Sequence, residues 1–290
     1  MAAHSRLGAY YTLAKPGIIY GNSIATIAGF FFASSLSDSF HLTSFLATII
    51  GTALVIGSSC VVNNCLDRNI DSRMMRTQRR SLVSGEISLT HAIIYATILG
   101  LVGLATLLLF VNLLTALTGI FGYFFYVVVY GYAKRHTPFS TLIGSIPGAV
   151  PPLAGYVAVT NVIDSAAIIL FLILTVWQMP HFYAIAMRRK EEYATANLPV
   201  LPVVKGDKIT KQHIFGYLIA YVCVAPLLTF TGYMGYTYLV VSLIIAVYWL
   251  VVALRAWSLP PTHWAKKVFF ASLFVLLAQC CIISVGALLP

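Results

Sequence analysis

Long apolar windows separated by short polar connections run through this 290-residue chain. A helix that crosses a membrane needs about 20 mostly apolar residues, and nine windows meet that length. They lie at roughly 16–34, 42–63, 89–110, 113–132, 139–160, 165–186, 213–232, 235–255 and 268–288. The pattern predicts an all-α, polytopic membrane protein with nine transmembrane helices, and we expect residues 1–290 to form a single domain.

The composition supports this environment. Hydrophobic residues make up 60% of the chain, charged residues only 9%, and the mean hydropathy is +0.90. Soluble domains are about 25% charged, and they need polar residues to cover their surface. The chain is therefore not expected to be a water-soluble enzyme, a disordered protein or a nucleic-acid binder, and its expected surroundings are a lipid bilayer.

The basic residues test the number of spans independently. All 18 Lys and Arg fall before span 1 or in the connections after spans 2, 4, 6 and 8. Because Lys and Arg collect in cytoplasmic loops, this alternation places the N-terminus in the cytoplasm and the C-terminus outside. The net charge of +10 then reflects topology rather than a nucleic-acid partner.

Targeting and redox signals are sparse. Residues 16–33 are apolar, long enough to span and lack a clear cleavage site, so we expect no signal peptide. Too few residues precede them for a transit peptide, which favours a bacterial plasma (inner) membrane. The five Cys show no CxxC spacing and avoid the predicted external loops, so neither a disulfide nor a cysteine metal site is expected.

Three oxygen-bearing side chains close the second span. Asn63, Asp67 and Asp71 follow one another at four-residue intervals, so on a helix they share one face, each about 6 Å further along the axis. Such ligands suit Mg²⁺, which keeps other positions for water and substrate phosphate. The alternative is a helix end at which the two carboxylates pair with Arg68 or Arg73.

Several charged groups around this stripe suit a phosphate site. The run 73–80 carries four Arg, and guanidinium groups grip phosphate oxygens bidentately. Lys134 and Arg135 after span 4 could add contacts. Two cytoplasmic connections are long, about 64–88 (the first long loop) and 187–212 (the second long loop), and Glu191 or Glu192 in the second could supply a second metal site. The alternatives are ordinary cytoplasmic positive charge and solvated loop charges. Solvated loop charges are also expected at Asp38, Glu86, Asp164 and Asp207.

Two features inside the spans suggest a cavity. Gly and Pro residues at 144–152 should break span 5 and form either a cavity wall or a packing surface. His181 lies inside span 6, where a polar side chain needs a partner; it is either a hydrogen-bonded packing residue or a ligand. Some of the 34 Phe and Tyr residues (17 of each) could line a path for an apolar or planar substrate, or stabilise a developing cation.

The Asn63–Asp67–Asp71 pattern in a nine-span chain resembles the UbiA superfamily of intramembrane prenyltransferases. Further stretches resemble the haem-farnesylating branch of that superfamily, and together they cover nearly the whole chain in order. These stretches are KPGIIYGN at 15–22, NNCLDRNID at 63–71 with RT at 76–77, TLIGS at 141–145, GAVPP at 148–152, WQMPHF at 177–182 and NLPVLPVV at 197–204.

The resemblance implies a UbiA-type helical bundle around a central cavity that opens to the cytoplasm. It implies that farnesyl diphosphate and haem B react, with addition of water, to give haem O and diphosphate. Asn63, Asp67 and Asp71 would hold Mg²⁺ on the diphosphate, while Arg76 and Arg80 would neutralise the leaving group. The expected substrate-binding residues are Lys15, Asn22, Arg73, Lys134, Arg135, His181, Tyr183, Arg188, Lys190, Glu192 and Tyr193.

One departure and several alternatives stay open. Many superfamily members carry a second Asp-x-x-x-Asp motif where this chain has KEEY at 190–193, so a second metal is in doubt. A prenyltransferase that acts on an aromatic quinone precursor, a transporter and an assembly factor without chemistry are the alternatives. Haem A synthase and terminal oxidase subunits are expected as partners only through the implied pathway, and His181 as a haem-iron ligand is a hypothesis.

Overall fold

The computed structural model describes residues 6–289, and this part of the chain is helical and contains no strand. Nine of its helical segments are long and apolar enough to cross a membrane, as predicted. They are Pro16–Ser37, Leu42–Asp71, Leu89–Phe110, Leu113–His136, Ser140–Thr160, Ser165–Arg188, Gly206–Phe230, Tyr236–Arg255 and Pro261–Leu288. The side of the membrane on which each terminus lies stays a prediction from the charge alternation, and residues 1–5 and 290 lie outside the described residues.

Several of these segments contain more than one helix. The helices are α1 Arg6–Leu13, α2 Pro16–Ser37, α3 Leu42–Asp71, α4 Ser81–Ser84, α5 Leu89–Phe110, α6 Leu113–Phe124, α7 Gly131–His136, α8 Ser140–Gly148, α9 Val150–Thr160, α10 Ser165–Arg188, α11 Lys190–Thr195, α12 Leu201–Val204, α13 Gly206–Val224, α14 Leu227–Phe230, α15 Tyr236–Arg255 and α16 Pro261–Val285. A π-helical turn, Phe125–Tyr130, joins α6 to α7.

Polar caps fix where several spans begin. The carboxylate of Asp164 accepts the Ala167 N–H at 3.0 Å and the Tyr156 hydroxyl at 2.8 Å. Asp164 is therefore the N-cap of α10 rather than the solvated loop charge expected from the sequence, because an N-cap side chain satisfies an otherwise unpaired backbone donor. Asn112 caps α6 in the same way, accepting from the Thr115 N–H at 2.7 Å.

The predicted break in span 5 is confirmed, and it coincides with close helix packing. The helix is interrupted at Ala149, between α8 and α9, with Pro at 147, 151 and 152. Further along α9, a Cβ on Gly155 would overlap the backbone carbonyl of Thr26 on α2. Only a residue without a side chain allows the two backbones to approach this closely, which is a common device between membrane helices.

The main core lies between α2, α9, α10, α13, α15 and α16. Two large tryptophans of this core satisfy their polar atoms internally: the indole N–H groups of Trp249 and Trp264 donate to the carbonyls of Val268 and Ala253 at 3.0 and 2.8 Å. By contrast, α5 presents exposed apolar side chains such as Leu101 and Leu109, as expected of a lipid-facing helix. The remaining space between the helices forms the candidate site.

Candidate active site

A cavity of about 540 Å³ opens among α2, α3, the π-helical turn, α8 and α10. Its wall is apolar over most of its area and charged at one end, where α3 finishes. Its polar and aromatic lining residues include Lys15, Asn22, Cys60, Asn63, Asp67, Asp71, Arg76, Arg80, Tyr126, Tyr130, Lys134, Trp177, Gln178, His181 and Tyr193. Such a wall suits a ligand with one ionic group and a long apolar part.

The predicted stripe lies in this cavity. Helix α3 continues eight residues beyond the predicted end of its span, so Asn63, Asp67 and Asp71 stay helical and share one face. All three are buried, at 4, 9 and 3% exposure. The amide of Asn63 donates to Asp67 Oδ2 at 3.0 Å. Buried carboxylates are costly unless they are paired or used, so their partners define the site.

The partners of Asp67 come from another helix. Lys134 Nζ, on α7, donates to Asn63 Oδ1 and to Asp67 Oδ2, both at 2.5 Å. Arg135 donates to Asp67 Oδ1 at 3.1 Å and to the Leu66 carbonyl at 2.8 Å. Asp67 is therefore held by the end of span 4, and not by Arg68 or Arg73 as the alternative supposed.

The partner of Asp71 comes from the first long loop. Arg80 Nη1 lies 2.5 Å from Asp71 Oδ2 and 3.2 Å from Asn64 Oδ1. Buried Thr77 donates to the Asp71 backbone carbonyl at 2.8 Å, which folds the loop back against the end of α3. This fold brings Arg80 and also Arg76 to the cavity wall.

The charged end of the cavity is electropositive. Among the lining residues that the structure describes, Lys15, Arg76, Arg80 and Lys134 carry positive charge against the two Asp of the stripe, an excess of two. Lys15 precedes α2 in a left-handed conformation, with φ of 56°. Burial lowers the pKa of its ammonium to about 8, although Asp67 and Asp71 partly oppose this shift. The surplus charge suits an anion such as diphosphate.

The predicted residues of the second long loop are only partly assembled here. Tyr193 lines the cavity, and burial raises the pKa of its hydroxyl. Glu192 bridges Arg189 at 2.6 Å and Arg76 at 3.5 Å, so it ties the two long loops together. Lys190 pairs with Asp207 at 3.2 Å, so Asp207 is not simply a solvated charge.

Four other predicted residues lie apart from the stripe. Arg73 is exposed and Tyr183 is buried in the main core against Tyr217; neither belongs to the cavity lining within residues 6–289. Arg188 is exposed and lines a smaller adjoining cavity. Asn22 does line the main cavity, where its side-chain amide donates to the Ile18 carbonyl at 2.8 Å.

His181 sits in an aromatic stack on the opposite wall. Its ring lies 4.8 Å from Trp177 and 5.0 Å from Phe269, centroid to centroid. Its Nδ1 lies 2.6 Å from Ser272 Oγ, and that hydroxyl lies 2.5 Å from the Phe269 carbonyl. A carbonyl only accepts, so the Ser272 hydroxyl donates to it and accepts the proton of Nδ1. This tautomer leaves Nε2 with a lone pair.

The sequence analysis missed several cavity residues. Tyr126 and Tyr130 precede the predicted Lys134 at four-residue intervals, a periodicity that could have revealed a common helix face. All three line the cavity, and the two tyrosine rings stack 5.5 Å apart on the π-helical turn. Cys60 and Gln178 also line it. Cys60 carries no pattern beyond its polarity within a span, whereas Gln178 stands in the WQMPHF stretch at 177–182.

The site offers oxygen ligands for a hard cation, although they are not arranged as a preformed metal-binding cluster. No group of three or more His, Cys, Asp or Glu within residues 6–289 has metal-binding geometry. All five cysteines have free thiols. Asn63, Asp67 and Asp71 nevertheless present an amide and two carboxylates to one cavity, a donor set that fits Mg²⁺ with a phosphate as co-ligand. Lys134 and Arg80 neutralise these carboxylates when no such cation is bound.

Comparison with known proteins identifies the family and the fold. The profile of the UbiA prenyltransferase family matches residues 22–275. Protoheme IX farnesyltransferase from Enterobacter sp. (strain 638) is 46% identical over 283 residues, which cover 97% of this chain and 95% of the relative. A solved digeranylgeranylglyceryl phosphate synthase superposes with a TM-score of 0.79 at 22% identity, covering 97% of this chain and 98% of the other.

A UbiA homologue from Archaeoglobus fulgidus, solved with GPP and Mg²⁺, superposes with a TM-score of 0.67 at 15% identity. The superposition covers 95% of this chain and 99% of the homologue. At such low identity the two solved structures establish the fold, whereas the family profile and the bacterial relative cover nearly all of the sequence. The chain therefore belongs to the UbiA prenyltransferase family and is an integral membrane protein of that fold.

Proposed function

We propose that this protein transfers the farnesyl group of farnesyl diphosphate to a vinyl group of haem B. The allylic C–O bond breaks, diphosphate leaves, the farnesyl carbon bonds to the vinyl group, and water adds with loss of a proton, giving haem O. One observation carries the proposal: an electropositive, carboxylate-bearing end closes a large and otherwise apolar cavity. The substrate named in the Enterobacter relative supports the choice of haem as acceptor.

The diphosphate would bind at the end of α3. Asn63, Asp67 and Asp71 would hold Mg²⁺, as their oxygen donors allow, and the Archaeoglobus homologue bound to GPP and Mg²⁺ supports this role. When bound, Mg²⁺ supplies positive charge to the diphosphate oxygens as the allylic bond breaks. The proposal places no metal at Glu192, which ties Arg76 of the first long loop to Arg189 of the second.

The chain's own cations complete the stabilisation of the leaving group. Lys134 and Arg80 already lie at the stripe, and Lys15 and Arg76 line the same end of the cavity. Negative charge grows on the diphosphate in the transition state, and fixed cations in a poorly hydrated site stabilise it strongly. The farnesyl cation formed at the same time faces the apolar wall and the rings of Tyr126 and Tyr130, which exclude premature water.

The acceptor would bind along the α10 wall. Trp177, His181 and Phe269 form a stack that can contact a planar macrocycle, and Nε2 of His181 has the lone pair that an iron ligand requires. The Ser272 hydroxyl fixes this tautomer, as groups that accept the other ring N–H of a metal-binding His commonly do. An intramembrane site also spares both apolar substrates a transfer into water.

The proposal includes a cellular setting. The alternating basic loops support a bacterial inner-membrane location with a cytoplasmic N-terminus and an external C-terminus. The diphosphate end of the cavity would then face the cytoplasm, where a soluble prenyl diphosphate arrives. Haem A synthase or terminal oxidase subunits would receive the product, and co-purification from native membranes tests that partnership.

The decisive experiment uses the purified protein in detergent with haem B, farnesyl diphosphate and Mg²⁺. The expected product is a haem heavier by a farnesyl group plus water, detected by chromatography and mass spectrometry. It should be absent after chelation of Mg²⁺ and in Asp67→Ala, and present in the control Asp38→Asn, a change at the opposite end of α2. If haem stays unmodified while aromatic acids are prenylated, the acceptor is a quinone precursor and not haem.

A further inference from the structure

A second, smaller cavity of about 220 Å³ adjoins the candidate site. Its lining residues are Arg76, Ile185, Arg188, Arg189 and Phe269. Arg76 and Ile185 line both cavities, so the two spaces are adjacent. Three arginines line this small space. Arg76 also serves the diphosphate end of the main cavity, whereas the proposed transfer assigns no role to Arg188 or Arg189.

Only part of this positive charge is neutralised by the protein. Glu192 contacts both Arg76 and Arg189. Arg188 has no carboxylate within 4 Å among residues 6–289. Its guanidinium lies instead over the ring of Phe269, 5.1 Å from the centroid. This contact orients the planar group and leaves its N–H donors available for an anion.

The position of Arg188 relates the small cavity to the acceptor wall. His181, Ile185 and Arg188 follow the spacing i, i+4, i+7, so they lie along one face of α10. From His181 to Arg188 the helix rises about 10 Å, which is the scale of a porphyrin from its centre to its carboxylate side chains. Phe269 contacts both ends of this face, through its ring against His181 and under Arg188.

We propose that the small cavity binds the propionate carboxylates of the tetrapyrrole acceptor, with Arg188 as the principal ligand and Phe269 as the platform beneath it. This inference rests on the proposed function and adds a specificity element to it. When the macrocycle lies against His181 and its propionates point toward Arg188, its opposite edge lies in the main cavity. The vinyl groups of haem B lie on the edge away from the propionates, and they would therefore face the bound farnesyl chain.

The test compares haem B with its dimethyl ester, in which both propionates have lost their charge. Each compound is titrated into wild-type protein, Arg188→Gln and the control Arg255→Gln, an exposed arginine at the end of α15. The Soret band gives Kd, in detergent free of anionic lipid. Arg188→Gln should weaken binding of haem B about tenfold, the value of one charge-assisted hydrogen bond, and leave binding of the ester unchanged. Arg255→Gln should change neither.

Several results would overturn the inference. One is equal affinity of the wild-type protein for haem B and the ester, which needs no variant and decides the matter even if Arg188→Gln does not fold. Another is an equal loss of affinity for both compounds in Arg188→Gln. A third is competition by added phosphatidylglycerol. If this lipid, rather than a propionate, is the ligand of the small cavity, it will compete with the ester as strongly as with haem B.

Failure of the proposed function gives a different result. Wild-type protein would then bind haem B with a preference over the ester and yet form no farnesylated product. If farnesylated product forms from haem B and from its ester at equal KM, the function stands and the propionate site does not.

Discussion

Lys134 Nζ lies 2.5 Å from Asp67 Oδ2, although 67 residues separate the two along the chain. The same ammonium reaches Asn63 Oδ1, so one cation from the end of span 4 holds two members of the stripe at the end of span 2. Diphosphate oxygens carry more negative charge than a single carboxylate. We therefore expect Lys134 to turn toward the diphosphate when the stripe takes up a divalent cation.

Replacement of Lys134 by Met tests this exchange. The variant should lose about 100-fold in kcat/KM for farnesyl diphosphate, the range seen when one preorganised donor to a developing anion is removed. Steady-state assays at saturating haem B measure it. Lys266→Met, an exposed lysine on α16, serves as the matched control and should retain wild-type kinetics. Equal kinetics for Lys134→Met and wild type would show that Lys134 is only a structural partner of Asp67.

The pKa of Lys15 predicts a pH dependence. Its ammonium, with a pKa of about 8, is charged below that pH and neutral above it. Because kcat/KM reports the free enzyme, kcat/KM for farnesyl diphosphate should fall as the pH rises through about 8. Lys15→Arg keeps its charge and should move this descending limb to higher pH. If the descending limb lies at the same pH in wild type and Lys15→Arg, another group titrates there. The control Lys266→Arg should keep the wild-type pH profile.

The fold follows from the sequence more completely than the site does. Nine apolar windows locate the spans because a bilayer tolerates few other patterns. Hydropathy places the end of span 2 near residue 63, whereas α3 continues to Asp71. Its last two turns are polar, and they stay helical because Lys134, Arg80 and Thr77 cover them from other segments.

Local sequence patterns do not predict which basic residues pair with the carboxylates of the site. Arg68 and Arg73 are closer to Asp67 in sequence, yet Lys134 and Arg135 bind it, because the bundle brings the end of α7 against α3. Tyr183 shows the converse difficulty. An aromatic residue two positions after His181 could face either the cavity or the core, and tertiary packing places it in the core.

Packing between α2 and α9 predicts a stability effect that is separate from catalysis. Gly155→Ala would place a methyl group against the Thr26 backbone carbonyl, which cannot rotate away. Overpacking of this kind costs about 1–3 kcal/mol, so the variant should melt at a lower temperature. Gly216 on α13 has open space around its Cβ position. Gly216→Ala should instead be neutral or stabilising, by up to about 1 kcal/mol. Thermal unfolding in detergent compares the pair, and equal melting temperatures would contradict the prediction.

The hydrogen bond between His181 and Ser272 leads to a spectroscopic prediction. His181→Ala should abolish the Soret signature of a histidine-ligated haem and weaken haem binding, since Nε2 is its only ring nitrogen free to bind iron once Ser272 holds Nδ1. Ser272→Ala removes the acceptor of the Nδ1 proton while leaving the imidazole in place. It should therefore retain the signature but bind haem about 10-fold more weakly, the low end of the effect of removing the hydrogen-bond partner of a metal-binding His.

Absorption spectra of the haem-loaded proteins make this comparison. Ser284→Ala on the same helix is the control, because the Ser284 hydroxyl bonds only within α16, to the Cys280 carbonyl at 2.8 Å. An unchanged spectrum and affinity in His181→Ala would show that the ring packs against the macrocycle without binding iron. In that case Ser272→Ala should also leave haem affinity unchanged, because the tautomer of a ring that only stacks has no effect on the iron.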